Sequence, residues 1–197
     1  MAASELGPWE PLPLAEVVET FAPAPCRWWV SGGHALDLHL GRSWREHEDV
    51  DVGIRRTDLG ALPALLAGWD LHVAAAGRLS PWHGEPLEAA RHQNNVWCRR
   101  ASGAPWSLDV TVGDGSAQEW IYRRDPSVRV PWNRAVLETA DGIAYLAPEL
   151  QLLYKSSAPR SKDDVDATEV IPDLDPRQCS FLARRLAPDH PWHRLFA

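Results

Sequence analysis

Asp49 and Asp51 are one residue apart in the stretch Arg45-Glu46-His47-Glu48-Asp49-Val50-Asp51-Val52-Gly53-Ile54. Read as a strand, this stretch puts Arg45, His47, Asp49 and Asp51 on one face and Val50, Val52 and Ile54 on the other. Two carboxylates so close repel each other. A divalent cation is the usual compensation, and hard oxygen ligands suit magnesium. An Asp-x-Asp pair alone also fits an acidic, solvated edge strand. What changes the reading lies upstream, where Ser31-Gly32-Gly33 separates a candidate strand, Arg27 to Val30, from a candidate helix, His34 to Leu40. Backbone N–H groups at the start of a helix, exposed by glycines, form a natural phosphate cradle. A cradle followed by a metal-binding carboxylate pair suggests a nucleoside triphosphate with magnesium between them.

The elements that must position these groups can be sketched from pattern. Leu14 to Phe21 reads as an amphipathic helix with Val17, Val18 and Phe21 inward, stopped by Pro23 and Pro25. Gly41 closes the helix after the glycine turn at a position suited to left-handed backbone. A helix over Leu59 to Leu66, with Pro63 in its first turn, and a strand over Leu71 to Ala75 follow. Residues 77–90 are rich in Gly, Pro and Trp and read as irregular. Asn95 to Arg100 and Trp106 to Val112 form two strands around the turn at Ser102-Gly103-Ala104-Pro105. In the second, Ser107, Asp109 and Thr111 face away from Leu108, Val110 and Val112. From Ala147 the pattern turns helical: Pro148 opens one helix, Lys162 to Ile171 forms another, and Asp175-Pro176 starts a last one carrying Cys179, Leu182 and Leu186. The expectation is an α+β (mixed α/β) fold: a catalytic core over residues 1–140 and a C-terminal helical cap over 141–197, packed as one domain.

Composition narrows the classes. The chain has 197 residues, 45% of them hydrophobic, and a formal charge of -7. That length supports a core without staples. The acidic balance argues against a protein that grips nucleic acid, which requires a basic surface. It is compatible with a cationic small substrate. Cys26, Cys98 and Cys179 have neither metal-type nor disulfide-type spacing and read as reduced thiols. Met1 to Trp9 shows no leader pattern and no stretch reaches membrane-spanning length, so the expected location is cytoplasmic. Eleven tryptophans are unusual for this length. Most are expected in the core, while some, such as Trp44 and Trp82, suit a pocket wall.

The sequence Ser31-Gly32-Gly33, followed by Asp49-Val50-Asp51, resembles the signature of the DNA-polymerase-beta-like nucleotidyltransferases. Residues Gly32 to Arg42 running into Arg45-x-His47-x-Asp49-x-Asp51 are similar to the aminoglycoside-2''-adenylyltransferase-like group, as are Asp141 to Lys155 and Lys162-Asp163-x-x-Asp166. His34 departs from the pattern, since relatives often carry an aromatic residue there. The resemblance implies a nucleotidyltransferase core with a mixed, twisted β-sheet flanked by helices. It implies that Asp49 and Asp51 bind metal, two magnesium ions in the family pattern, and that Asp109 is a further metal ligand or the general base. Ser31, Gly32, Gly33, Arg45, His47 and Lys155 become candidates for contacting the nucleotide. The implied reaction moves AMP from ATP to a hydroxyl of a small cationic acceptor such as an aminoglycoside antibiotic, and releases pyrophosphate.

The His83 to His92 region, with Trp82 and Glu85, is a candidate acceptor wall. Glu85, Glu88, Asp114 and Glu119 are candidate ammonium contacts, and Arg123 and Arg124 are candidate nucleotide contacts. The expected partners are a nucleoside triphosphate and a small molecule, with no nucleic acid and no membrane, on a monomer or homodimer. Two other readings stay open: a toxin-like transferase that modifies a protein or another metabolite, and a non-catalytic nucleotide-binding module.

Overall fold

The computed structural model describes residues 6–196; residues 1–5, part of the segment read above for a leader, and residue 197 lie outside the described residues. Helix α1 (Leu14–Phe21) forms where the pattern placed it and buries Val17 and Phe21. Strand β1 (Trp28–Ser31) runs directly into α2 (Gly32–Leu40), so the helix begins at Gly32 rather than at His34. Gly41 ends it with a left-handed φ of 66°. Strand β2 (Asp51–Arg55) is followed by a 3-10 turn over Arg56–Ala61 and the short α3 (Leu62–Leu65), in place of one continuous helix.

Strands β3 (Asp70–Ala75) and β4 (Arg78–Pro81) form a hairpin inside a segment expected to be irregular. Ala75 pairs with Arg78, and the two residues between them, Ala76 and Gly77, both have positive φ. That backbone is the tight turn whose twist matches paired strands. Then come β5 (Asn95–Arg99), β6 (Leu108–Gly113), β7 (Glu119–Ile121), β8 (Arg129–Pro131), the one-turn α4 (Trp132–Ala135), β9 (Val136–Glu138) and β10 (Ala144–Leu146). The helices α5 (Pro148–Ser156), α6 (Ser161–Val170) and α7 (Pro176–Ala183) complete the cap. Asp175 caps α7 by accepting from the N–H groups of Arg177 at 2.7 Å and Gln178 at 2.9 Å, as Asp-Pro at a helix start should.

Eight strands make one mixed sheet in the order β4-β3-β5-β6-β2-β1-β10-β9, and β7-β8 is a separate ribbon. β2 runs parallel to β6 and β1 parallel to β10; the other neighbours are antiparallel. β10 lies beyond residue 140 yet joins the same sheet as the expected core. The two faces of the sheet differ. The back carries Val52, Ile54, Val96, Cys98, Val110 and Val112, packed with α1 and with Leu59, Leu62 and Leu66. Each fully buried aliphatic side chain there contributes about 1.5–3 kcal/mol relative to exposure.

The front carries Asp51, Asp109, Thr111 and Asn95. It is closed at one end by Trp29, whose indole lies over Gly53: a Cβ at Gly53 would sit 2.0 Å from Trp29 Nε1. Trp29 continues into a second core with Trp132, Leu36 and the cap residues Leu150, Leu152 and Val170. Trp82, Trp120, Trp132 and Trp192 are buried, and the three cysteines are free thiols. Among the described residues no helix is long and apolar enough to cross a membrane.

Candidate active site

Register brings the acidic residues together. Ser31 at the end of β1 pairs with Asp51 at the start of β2, and Asp51 pairs with Asp109 near the start of β6. Asp49 is not on the strand as expected. The whole segment from Arg42 to Val50 is an irregular loop, because its polar side chains are bound by the helical cap rather than laid on the sheet. Arg42 pairs with Glu169 at 2.7 Å, Lys162 with Glu48 at 2.7 Å, and Arg45 holds Asp166 through Nε at 2.7 Å and Nη2 at 2.9 Å. Arg45 and His47 therefore do not share a strand face with the carboxylates. Asp49, exposed on this loop, lines the same cavity as Asp51.

The carboxylates are poised for a cation. Burial raises the Asp51 carboxyl well above its usual range, and the charges of Asp109 and Asp49 push it further. Burial likewise raises Asp109, to about 7, with Asp49 adding to it. Asn95 Nδ2 opposes that rise by donating to both Asp109 oxygens at 3.0 Å. Crowded carboxylates raised by their own repulsion are a donor set that fits a hard divalent cation. Gly32 completes the geometry. Its φ is 67°, and a Cβ there would lie 2.1 Å from Asp51 Oδ2, so the start of α2 and the carboxylate touch only because the residue is glycine. Its N–H donates to Gln151 Oε1 at 2.9 Å.

These groups open onto a cavity of about 310 Å³ that Gly32, Gly33, Asp49 and Asp51 share with Lys155 and Lys162 of the cap. Lys155 Nζ contacts Asp163 at 2.7 Å and Asp166 at 2.9 Å while still lining the cavity. Burial alone would raise both aspartates. Arg160 and Lys155 on Asp163, and Arg45 and Lys155 on Asp166, more than offset it and hold both carboxyls below their usual range. His47 packs against Gly33 and its Nε2 lies 2.7 Å from Asp37 Oδ2 on α2. The His34 ring sits 4.2 Å from that of His47. Burial, with His47 adding to it, pushes His34 down to about 4. Ligand atoms of His34, Asp37 and His47 lie within 4.8 Å of one another.

Gln151 and Asn95 were missed by the sequence reading, although both carried a signal. Gln151 is a polar residue one turn before Lys155 on α5, and Asn95 shares the front face of β5 with Trp97.

A second cavity of about 710 Å³ adjoins the first through Arg124, which lines both. Asn95, the partner of Asp109, forms part of its wall, with His92, Asn94, Asp114 and Arg123. Of the expected acceptor wall, His92 reaches this cavity, whereas Trp82 is buried and donates to the Glu85 carbonyl at 2.7 Å. Of the expected ammonium contacts only Asp114 lines it, and Arg56 Nε already holds that carboxylate at 2.6 Å.

Comparison with known proteins gives a consistent set of likenesses. The family model for aminoglycoside-2''-adenylyltransferase matches residues 13–75, which run from α1 through the glycine cradle and the aspartate pair to the end of β3. A 2''-aminoglycoside nucleotidyltransferase of Escherichia coli is 27% identical over 128 residues, covering 56% of this chain and 72% of the relative. One from Klebsiella pneumoniae matches to the same extent. Among solved structures, ANT(2'')-Ia in complex with adenylyl-2''-tobramycin has a TM-score of 0.56 at 17% identity, covering 93% of this chain and 97% of the other. The lincosamide antibiotic adenylyltransferase LnuA, lincomycin-bound, has a TM-score of 0.52 at 18% identity, covering 78% and 90%. The family match runs through the cradle and the acidic loop, and the chain shares its fold with these solved structures.

Proposed function

We propose that this chain transfers AMP from magnesium-bound ATP to a hydroxyl of a small antibiotic-like acceptor and releases pyrophosphate. The observation that carries the reading is the placement of Asp51 and Asp109 on adjacent parallel strands against the start of α2. Asp49, Asp51 and Asp109 would hold the magnesium, two ions by the family pattern, which when bound neutralises the triphosphate and increases the electrophilicity of its α-phosphorus. The start of α2 at Ser31, Gly32 and Gly33 cradles phosphate oxygens, and Lys155 supplies positive charge from the cap. Arg45 and His47 act indirectly: Arg45 shares Asp166 with Lys155, and His47 fixes the loop that carries Asp49 against α2.

The acceptor oxygen forms a bond to the α-phosphorus as the bond to the pyrophosphate oxygen breaks. Asp109 takes the hydroxyl proton as general base. The acceptor class rests on the relatives, which act on aminoglycosides in one case and bind lincomycin in another.

The test is pyrophosphate release from magnesium and ATP across a panel of aminoglycosides and lincosamides, with Asp49→Ala as control. Release that requires both an antibiotic and Asp49 is expected. Silence across the panel with magnesium-ATP binding intact would remove the antibiotic and turn the search to protein or metabolite acceptors.

A further inference from the structure

The overall charge of -7 is compatible with a cationic acceptor, but that charge is not where an acceptor would sit. The larger cavity adjoins Asp109 through Asn95 and is the space left for an acceptor once the smaller cavity holds the triphosphate. Its walls carry two guanidinium groups. Arg123 lies 5.1 Å over the Tyr154 ring, and Arg124 donates to the Tyr154 carbonyl at 2.6 Å and to Ser157 Oγ. These partners are neutral, and neither arginine pairs with a carboxylate among the described residues. Among the described residues the one acidic side chain in the wall, Asp114, is held by Arg56. Arg56 is itself tied down by the carbonyls of Leu87 at 3.2 Å and Gln93 at 3.0 Å and by Asn94 Oδ1 at 2.7 Å. The remaining polar lining, Asn94, Asn95 and His92, offers amides and an imidazole. Among the described residues the wall thus presents positive charge without a free counter-charge for an ammonium group; the Asp109 carboxylate, on which the Arg123 charge also acts, lies behind Asn95.

We infer that the acceptor carries at most one positive charge and turns oxygen acceptors toward Arg123 and Arg124. This inference rests on the transferase reading and narrows it, because a polyamine sugar would bring several ammonium groups against two arginines. It also divides the labour between the two residues. Arg124 faces both cavities and can serve either substrate, whereas Arg123 lines only the acceptor cavity and sets acceptor affinity.

The experiment is calorimetric titration of tobramycin, as a polycationic probe, into the full chain saturated with magnesium and a non-hydrolysable ATP analogue. Wild type and Arg123→Glu are compared, and thermal melts confirm that both are folded. Reversing the charge is expected to tighten tobramycin about tenfold or more. An unchanged or weaker affinity overturns the proposal. Should the variant fail to fold, the salt dependence of tobramycin binding to wild type decides: binding that strengthens as salt screens repulsion supports the inference, and binding that weakens overturns it. In steady state, Arg123→Ala is expected to raise the acceptor KM severalfold and leave the ATP KM unchanged; the reverse pattern would assign Arg123 to the nucleotide and end the proposal. Pyrophosphate release is followed in parallel with tobramycin and lincomycin. Its absence with both would count against the transferase reading, while the titration still reports on the charge of the cavity.

Discussion

The two cavities on the front of the sheet are built by opposite means. The smaller one is made from strand ends and helix starts, and apart from Arg124, which it shares with the larger, its cations already have partners within the chain: Arg45 and Lys155 on Asp166, Lys155 again on Asp163, and Lys162 on Glu48. The larger one is walled by the segments around residues 89–95 and 121–126, and its two arginines rest on neutral groups. On the proposed reading, a site that must hold the same polyphosphate in every turnover gains from a prearranged charge lattice, and a site that selects an acceptor keeps charge free to meet it.

If that contrast is right, the largest loss of stability should follow Asp166→Ala. The aspartate is fully buried, and its removal strips Arg45 and Lys155 of their shared partner. A loss of about 3–5 kcal/mol is expected in urea unfolding, the range for breaking a buried pair. A loss under about 1 kcal/mol would mean that water already screens the lattice.

Next comes Asp51→Asn. If Asp51 holds metal as proposed, transferase activity should fall about a hundredfold or more, since a metal ligand is worth several kcal/mol in the transition state. Melting temperature without metal should nevertheless rise, because a buried carboxylate repelled by Asp109 and Asp49 has been neutralised. A fall in both quantities would assign Asp51 a structural role instead.

The third effect is a pH dependence. His34 has a folded value of about 4 against an ordinary 6.5. Between those values the unfolded chain binds the proton and the folded chain does not, so His34 costs stability as pH falls through that window and adds no further loss below it. His34→Phe should remove that part of the slope in melts taken from pH 6.5 to 4; an unaltered slope would place its origin elsewhere.

The smallest effect is expected on the acceptor side. Asp114→Asn should change stability by no more than about 1 kcal/mol, because Arg56 keeps its contacts to Leu87, Gln93 and Asn94. A loss as large as that from Asp166→Ala would erase the contrast between the cavities.

Legibility followed the same division. The apolar face of β2, the glycine junction into α2, α1 and the capped start of α7 could be read because short-range physics decides them: side-chain alternation, glycines between a strand and a helix, an aspartate before a proline. The place of Asp109 on the polar face of its strand could be read for the same reason. Arg45, His47 and Asp49 were assigned to a strand because alternation continued through them. What broke the strand was long-range pairing with α6, which no local pattern encodes. The hairpin of β3 and β4 was lost in a stretch rich in turn residues. Which acidic residues face the larger cavity was not legible, because that depends on tertiary packing: Glu85 and Glu88 line a separate cavity with Trp82, and Asp114 is held by Arg56.

The loop from Arg42 to Glu48 has no strand partner, yet three ion pairs fasten it along α6. In hydrogen exchange such a loop should not behave as a loop. Its amides should open together with those of α6, as one cooperative unit, and added salt should uncouple the two before either unfolds. The segment carrying Asp49 would then arrive at and leave the metal together with the helix next to Lys155, so that ordering of the two walls around a triphosphate is a single event.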